Sequence, residues 1–144
     1  MARVSTYCNF PGTAEAAFAF YAEVFGTEVT ALQRFSELPA GPGTPQLGPG
    51  EAERVLHAEV EILAGHVLMA TDLLESMGQE LRIGNNTTIN LEVDDVATAE
   101  RLFAALGAGG ADHAPLMAMP WGSLWGCCLD RYGIRWMINA PLEH

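Results

Sequence analysis

Residues 4–26 read VSTYCNFPGTAEAAFAFYAEVFG, and this stretch decides the fold. Val4 to Phe10 predicts a β-strand that a Pro-Gly pair ends, and Thr13 is a typical N-cap for a helix that starts at the next residue. From Ala14 to Phe25, apolar residues recur every three or four positions, which predicts one buried helical stripe. Gly26 predicts the end of this helix. The stretch is therefore a strand followed by an amphipathic helix.

The same order returns later in the chain. Residues 87–107 read TTINLEVDDVATAERLFAALG, which predicts a strand over Thr87 to Val93 and a helix that opens at Asp94-Asp95 and runs through Leu106. Three further strands are predicted after each helix: Glu28 to Phe35, Arg54 to Ile62 and His66 to Thr71, then one near Asp112 to Met117, Ser123 to Leu129 and Ile134 to Asn139. The repeated β-α-β-β-β unit indicates a duplicated architecture.

The expected fold class is α+β, with two βαβββ modules over residues 4–72 and 87–140. We expect them to form one domain over residues 1–141, a concave mixed sheet with the helices on its outer face and a shared cleft. Leu142-Glu143-His144 resembles the start of a cloning-site and polyhistidine tail and is left out of the fold. A long loop over residues 36–53, with four prolines and four glycines, is expected to border the cleft.

Composition restricts the partners. The chain has 18 acidic and 7 basic residues, a net charge of −11, and no lysine. Nucleic acids and anionic membranes need basic contacts, so neither is an expected partner. No apolar run approaches a membrane span. The three cysteines, Cys8 and the pair Cys127-Cys128, fit neither a disulfide framework nor a zinc site, which favours a reducing cytoplasm.

Strand alternation predicts which side chains face away from the helices. Leu56, Ala58, Val60 and Ile62 are assigned to the helix side of their strand, which leaves His57, Glu59 and Glu61 on the other side. By the same alternation, Thr88, Asn90 and Glu92 share the opposite face with Arg135, Met137 and Asn139. Trp125 shares parity with Cys127 and is the preferred aromatic of this face. The polar pattern fits either a solvated outer face or the wall of a cleft.

Several motifs together resemble a known family. They are Tyr7-Cys8-Asn9-Phe10, the helical FYAEVFG of residues 20–26, His57-Ala58-Glu59, residues 90–95, and a Trp-Gly motif that runs from Trp121-Gly122 to Trp136-Met137-Ile138-Asn139. This pattern is similar to the PhnB-like branch of the vicinal oxygen chelate superfamily, which includes glyoxalase I, bleomycin-resistance proteins and extradiol dioxygenases. The resemblance implies a pair of βαβββ modules, a ligand site in a concave sheet and assembly as a homodimer.

The resemblance also implies where a metal site would lie, and the residues of this chain at those positions differ from the family's metal ligands. Catalytic relatives bind a divalent cation through four side chains, and the corresponding positions here are Thr6, Met69, Thr88 and Met137. Hydroxyls and thioethers are poor ligands for such cations. Shifting the alignment by one residue introduces no histidine or carboxylate. We therefore expect no metal at these positions and no cofactor.

The remaining candidate site residues leave two functions open. The predicted ligand-binding residues are Thr88, Asn90, Trp125, Met69, Met137 and Asn139. His57 and Glu59 are a candidate catalytic pair, since histidine titrates near neutral pH and a carboxylate can orient it. They also fit a polar cleft wall or an exposed ladder, the interpretation that the residues alone favour, and a displaced metal site if Glu92 joined them. The chain is thus either a metal-independent protein that binds or sequesters a small organic molecule, or a lyase, isomerase or dioxygenase-type enzyme centred on His57 and Glu59.

Some PhnB-like proteins carry the label of a demethylubiquinone methyltransferase. A nucleotide-type cofactor would need a glycine-rich turn between a strand and a helix N-terminus. The one candidate, Gly107-Ala108-Gly109-Gly110, follows a helix and is interpreted as its end. The sequence therefore gives the label little support.

Overall fold

The structure, a computed structural model, describes residues 2–142. The chain divides into two compact units, Met1–Arg82 and Ile83–His144. Each unit contains one helix and four strands in the order β-α-β-β-β, so the predicted α+β class and the duplication are confirmed. Residues 143 and 144 of the segment interpreted as a tag lie outside the described residues. No helix within residues 2–142 has the length and apolar character that crossing a bilayer requires.

Unit 1 is a four-stranded mixed sheet with one helix packed on it. Its elements are β1 (Thr6–Phe10), α1 (Ala14–Phe25), β2 (Val29–Arg34), β3 (Val55–Glu61) and β4 (Val67–Asp72). The strand order is β1-β4-β3-β2, with β1 parallel to β4 and the other neighbours antiparallel. Helix α1 packs on β3, β2 and β4. Its aromatic side chains Phe18 and Tyr21 are fully buried there, with Phe18 edge-on to Phe10 at 6.1 Å.

Unit 2 repeats this arrangement. Its elements are β5 (Ile89–Glu92), α2 (Val96–Gly107), β6 (Ala111–Ala118), β7 (Ser123–Leu129) and β8 (Arg135–Pro141). The order β5-β8-β7-β6 matches that of unit 1, again with one parallel pair, β5 and β8. Helix α2 packs on β7, β8 and β6. Leu102, Leu106, Trp136 and Ile138 are fully buried in this core.

The two helices begin differently. Asp95 caps α2 as predicted, because its carboxylate accepts the Thr98 backbone N–H at 2.7 Å. Thr13 makes no side-chain capping bond to α1, so its predicted role is wrong. Asp72, 2% exposed at the end of β4, takes that role instead. Its carboxylate accepts the N–H groups of Gly12 and Ala14 from the helix start and of Val55 from β3.

Two predictions from strand alternation, those for Leu56 and Thr88, differ from the structure. The pairing of β2 with β3 shifts by a residue between Gln33 and Arg34. Because of this bulge, Val55 is buried and Leu56 is only half-buried, which reverses the prediction for Leu56. The second difference is the start of β5 at Ile89, which leaves Thr88 exposed and outside the strand.

Candidate functional site

In each unit the helix covers one face of the sheet, and we call the opposite face the open face. On β3, Ala58 and Val60 are completely buried on the helix side, while His57 and Glu59 are half-buried on the open face. On β8, Trp136 and Ile138 are completely buried, and Met137 and Asn139 alternate with them. The predicted faces are therefore confirmed for His57, Glu59, Met137 and Asn139, whereas a role of these residues in binding stays a prediction.

The open face of unit 1 contains the candidate catalytic pair. His57 Nε2 lies 2.8 Å from Glu59 Oε2, and the two side chains are 27% and 28% exposed. The Tyr7 ring, on β1, lies 6.1 Å from the imidazole between centroids. Met69 is the register partner of both Tyr7 and Glu59, and its sulfur accepts a bond from the Ser5 hydroxyl at 3.8 Å. This face is thus an imidazole-carboxylate pair beside an aromatic ring and a thioether.

The His57–Glu59 contact occupies Nε2 of the imidazole and leaves Nδ1 available for proton transfer. When neutral His57 donates Nε2–H to Glu59, the lone pair is on Nδ1 and can accept a proton from a bound molecule. Glu59 then stabilises the resulting imidazolium, because the carboxylate lies at hydrogen-bond distance. The pair therefore contains the two groups that such a mechanism needs, an imidazole as general base and a carboxylate that orients it.

The open face of unit 2 is built from two rows of cross-strand neighbours. One row runs Asn90, Met137, Cys127 and Ala114 across β5, β8, β7 and β6, and the next runs Glu92, Asn139, Trp125 and Met117. Trp125 and Met137 are half-buried, and Asn90 and Glu92 are exposed. The face therefore combines an indole and a thioether with two amides and a carboxylate.

A chain of hydrogen bonds orders the polar end of this face. Asn139 Nδ2 donates to Asn90 Oδ1 at 2.7 Å, and Asn90 Nδ2 donates to Glu92 Oε2 at 3.2 Å. Each of these hydrogen bonds restricts the rotamers of the two side chains that it joins. Less conformational entropy is therefore lost when a ligand binds. The structure thus brings together the predicted residues Asn90, Asn139, Trp125 and Met137 on one face. It places Met69 on the open face of unit 1 and leaves Thr88 before β5.

The positions that hold the metal in catalytic relatives do not fit a divalent cation. Thr6 shares the helix-side parity of Cys8 and Phe10, so its side chain does not lie on the open face with Met69. Its hydroxyl lies 2.9 Å from His66 Nε2, and His66 is half-buried. Ser5 occupies the open face instead and still offers only a hydroxyl. Within residues 2–142 no three His, Cys, Asp or Glu side chains are grouped as metal ligands would be.

The middle of each sheet carries a methionine at these positions. Met69 lies between Tyr7 and Glu59 across β1, β4 and β3. Met137 lies between Asn90 and Cys127 across β5, β8 and β7. A thioether is polarisable and adapts to apolar ligands, and it is a weak donor for hard or borderline cations. The donor set therefore suits contact with an organic group better than metal coordination.

The glycine-rich turn after α2 has a packing role. A Cβ added at Gly110 would overlap the Leu129 carbonyl oxygen, so the backbone just before β6 passes directly against the end of β7. At Gly107, the last residue of α2, an added Cβ would lie 2.9 Å from His113 Nε2. Both glycines are thus explained by contacts within unit 2. The turn does not fit a nucleotide-type cofactor, which needs a strand before it and a helix N-terminus after it.

The adjacent cysteines differ in environment. Cys128 is 2% exposed on the helix side, where burial and the nearby Asp130 carboxylate raise the pKa of its thiol to about 11. Cys127 is half-buried on the open face, between Met137 and Ala114. The Cys128 thiol is therefore buried and protonated at neutral pH, whereas the Cys127 thiol is only partly buried.

The structure also contains a cleft that the sequence did not indicate. It has a volume of about 370 Å³, beside the N-terminus of α1, and its lining includes Thr13, Arg34, Arg54 and Asp72. Arg34 Nη2 bonds Glu15 at 2.9 Å, and Arg54 Nη1 bonds Glu75 at 2.6 Å. Since each guanidinium already faces a carboxylate, neither arginine of this cleft is an unpaired cation that could bind an anionic ligand.

One end of the Pro/Gly loop is fixed to unit 1 by a buried carboxylate. Glu51, 4% exposed, accepts hydrogen bonds from the Gly48 N–H and from the N–H and hydroxyl of Ser76. The Ser76 hydroxyl and the Gly48 N–H lower the pKa of this carboxyl, since they bond its charged form. The loop therefore has an anchor that its composition did not reveal.

The fold and the open faces define the chain as a two-module protein of the glyoxalase and bleomycin-resistance type. A family model described as 3-demethylubiquinone-9 3-methyltransferase matches residues 2–139. The chain belongs to this family, the PhnB-like branch of the vicinal oxygen chelate superfamily.

Individual relatives agree with this assignment. The chain is 28% identical over 142 residues to Protein YjdN of Escherichia coli (strain K12), covering 95% of this chain and 94% of YjdN. The crystal structure of protein PA1353 from Pseudomonas aeruginosa superimposes with a TM-score of 0.82, at 28% identity, over 99% of this chain and all of that one. The PhnB protein of Bacillus cereus gives a TM-score of 0.78 at 24% identity, over 96% and 99% of the two chains, and supports the fold alone.

Proposed function

We propose that this protein binds a small organic molecule on the open faces of its sheets and does so without a metal ion. The observation that supports this most directly is the donor chemistry of those faces. The positions at which catalytic relatives hold a cation carry hydroxyls and the sulfurs of Met69 and Met137. Trp125 beside Asn139 and Asn90 supplies an aromatic contact surface with a few oriented polar groups, the usual composition of a ligand site.

The proposal is tested by screening aromatic metabolites of different charge against ¹⁵N-labelled protein in EDTA. Binding on the unit 2 face shifts the NMR signal of the Trp125 indole N–H. This signal is assigned as the one that disappears from the spectrum of the Trp125→Phe variant. Trp121→Phe is the matched control, since Trp121 is 72% exposed at the end of the β6–β7 connection and outside the face. A screen in which no compound moves the Trp125 signal would contradict the proposal.

A second candidate function is catalysis at His57 and Glu59, as in a lyase, isomerase or dioxygenase-type enzyme. The 2.8 Å contact between imidazole and carboxylate favours it. The test is turnover of any compound found to bind. Glu59→Gln keeps the size of the side chain and removes its charge, so it should depress turnover by more than tenfold if the imidazolium is stabilised in the reaction. Unchanged turnover in Glu59→Gln would remove this candidate.

We further propose a cytoplasmic homodimer. The outer strands of each sheet have a hydrogen-bonded neighbour on one side only, and Met117 and Trp121 near the β6–β7 connection are 58% and 72% exposed. Unpaired edges and exposed apolar side chains are features that a second copy can cover. Sedimentation at micromolar concentration tests the assembly, and a monomer there would contradict it.

A further inference from the structure

We propose that the open face of unit 2 selects small aromatic cations, holding an aromatic ring on Trp125 and a cationic nitrogen at Glu92. This deepens the proposed function, on which it rests, by naming the charge class and the size of the ligand. The occupant is an aryl-alkyl ammonium or amidinium compound.

The separation of the two groups sets the length of the ligand. Glu92, Asn139 and Trp125 are register partners on the adjacent strands β5, β8 and β7. Neighbouring strands are about 4.8 Å apart, so the backbones of Glu92 and Trp125 are separated by roughly 10 Å. An aromatic ring joined to an amine by a two- or three-atom linker spans this distance once both side chains lean toward it. Asn139, between them, is placed to contact the linker.

The charge of Glu92 is not balanced within its own surroundings. Its carboxylate accepts a hydrogen bond from Asn90 Nδ2 at 3.2 Å, and no ion pair joins it to another residue of 2–142. The hydrogen bond from Asn139 to Asn90 holds that amide in place. Glu92 is therefore an oriented anion. A ligand nitrogen that donates to it forms a charge-assisted hydrogen bond, which is stronger than a neutral one.

Within residues 2–142, the arginine of this face does not compete for this position. Arg135 lies on β8 with the open-face parity of Met137, and its guanidinium bonds Asp112 at 3.1 Å and the Gly84 carbonyl at 2.7 Å. An arginine bonded to these two groups is held away from Glu92. The chain's net charge of −11 also attracts cations at long range and repels anions.

Trp125 supplies the second half of the recognition. An indole offers a large flat surface on which an aryl ring can stack. Its row neighbour Met117, 58% exposed on β6, extends that apolar surface. A neutral aromatic compound keeps this contact and loses the one to Glu92, and an anionic compound is repelled by Glu92. The order of affinity should thus be cation, then neutral, then anion.

The experiment compares three probes that differ only at the end that meets Glu92: 2-phenylethylammonium, 2-phenylethanol and phenylacetate. Each is titrated into ¹⁵N-labelled full-length protein, and the dissociation constant is taken from the Trp125 indole signal. We expect the ammonium to bind about tenfold more tightly than the alcohol, the difference a charge-assisted contact gives. Glu92→Gln should remove this preference and leave the affinity for the alcohol unchanged.

The controls separate this inference from the proposed function. Glu100→Gln makes the same change of net charge at an exposed position of α2, the helix on the other side of the sheet, and should keep the preference. Equal affinity for ammonium and alcohol in the wild-type protein would overturn the inference and leave binding on this face intact. If none of the three compounds moves the Trp125 signal, this inference is overturned, whereas the proposed function is overturned only if no compound of the wider screen moves that signal.

Discussion

Trp136 and Asp130 form a completely buried pair that closes the end of the unit 2 sheet. The indole Nε1–H donates to Asp130 Oδ2 at 2.8 Å, and the other carboxylate oxygen accepts the backbone N–H groups of Tyr132 and Ile134. One aspartate thus fixes the turn between β7 and β8 and the orientation of the largest core side chain. The pair also defines the helix side of β8, opposite the face that we propose for binding.

Trp136→Ala should lower the free energy of unfolding by about 3–5 kcal/mol, the usual cost of truncating a buried aromatic side chain. Urea denaturation measures this free energy. Trp121→Ala is the control and should change it by less than about 0.5 kcal/mol, because Trp121 is 72% exposed.

His57→Ala should lower the free energy of unfolding by less than about 1 kcal/mol, because His57 is half-buried on the open face. If His57→Ala unfolded the protein and Trp136→Ala did not, the two faces would be inverted.

Asp72→Asn should destabilise unit 1 far more than Thr13→Ala. The carboxylate accepts three backbone N–H groups, and an amide nitrogen in place of one oxygen would face donors instead of accepting from them. Since hydrogen bonds to charged groups contribute about 1.5–3 kcal/mol each, we expect a loss of more than about 2 kcal/mol in urea denaturation. Thr13 makes no capping bond, so Thr13→Ala should change little. Equal losses in the two variants would contradict this account of the helix start.

The contribution of Glu51 to stability should disappear in acid. Hydrogen bonds lower its folded pKa below the unfolded value, near 4.5. A carboxyl with a depressed folded pKa stabilises the protein above its unfolded pKa and loses that effect as pH falls through the folded one. The difference in unfolding free energy between wild type and Glu51→Gln should therefore be constant near neutral pH and shrink below about pH 4.5. A difference that stays constant down to pH 3 would contradict the prediction.

Thiol reagents should modify Cys127 before Cys128. Burial raises the pKa of Cys128 to about 11, so almost none of it is thiolate at pH 8, whereas Cys127 is half-buried on the open face. Iodoacetamide labelling at pH 8 followed by mass spectrometry measures this. Cys127→Ser should abolish most of the labelling and Cys128→Ser should preserve it. Equal labelling of both single variants would show that the two thiols share one environment.

Much of the fold follows from the sequence because local signals agree with the final packing. The apolar stripe of α1, the cap at Asp95 and the alternation of β8 predict the elements to within a few residues. Asp72 could not be identified in this way. It lies 58 residues from Ala14, whose N–H it bonds, and no local pattern encodes a contact of that range.

The candidate site was predictable where strand register is regular. His57, Glu59, Met137 and Asn139 lie on the predicted faces because β3 and β8 alternate without a break through them. By contrast, the burial of Cys8 and Phe10 puts Thr6 on the helix side of β1, which the family resemblance did not indicate.

Other features of the site arise only from the folded sheet. Tyr7 lies beside His57, and Cys127 lies in the Asn90 row, because strands distant in sequence become neighbours. These juxtapositions have no sequence signal.

Metal-independent binding is the central claim, and one titration tests it most directly. The dissociation constant of 2-phenylethylammonium, read from the Trp125 indole signal, is measured in EDTA and again with one equivalent of Zn²⁺, Ni²⁺ or Mn²⁺. Because the family's metal positions carry hydroxyls and thioethers, we expect the same dissociation constant in all four samples. Binding that appears only after one of these cations is added would contradict the claim.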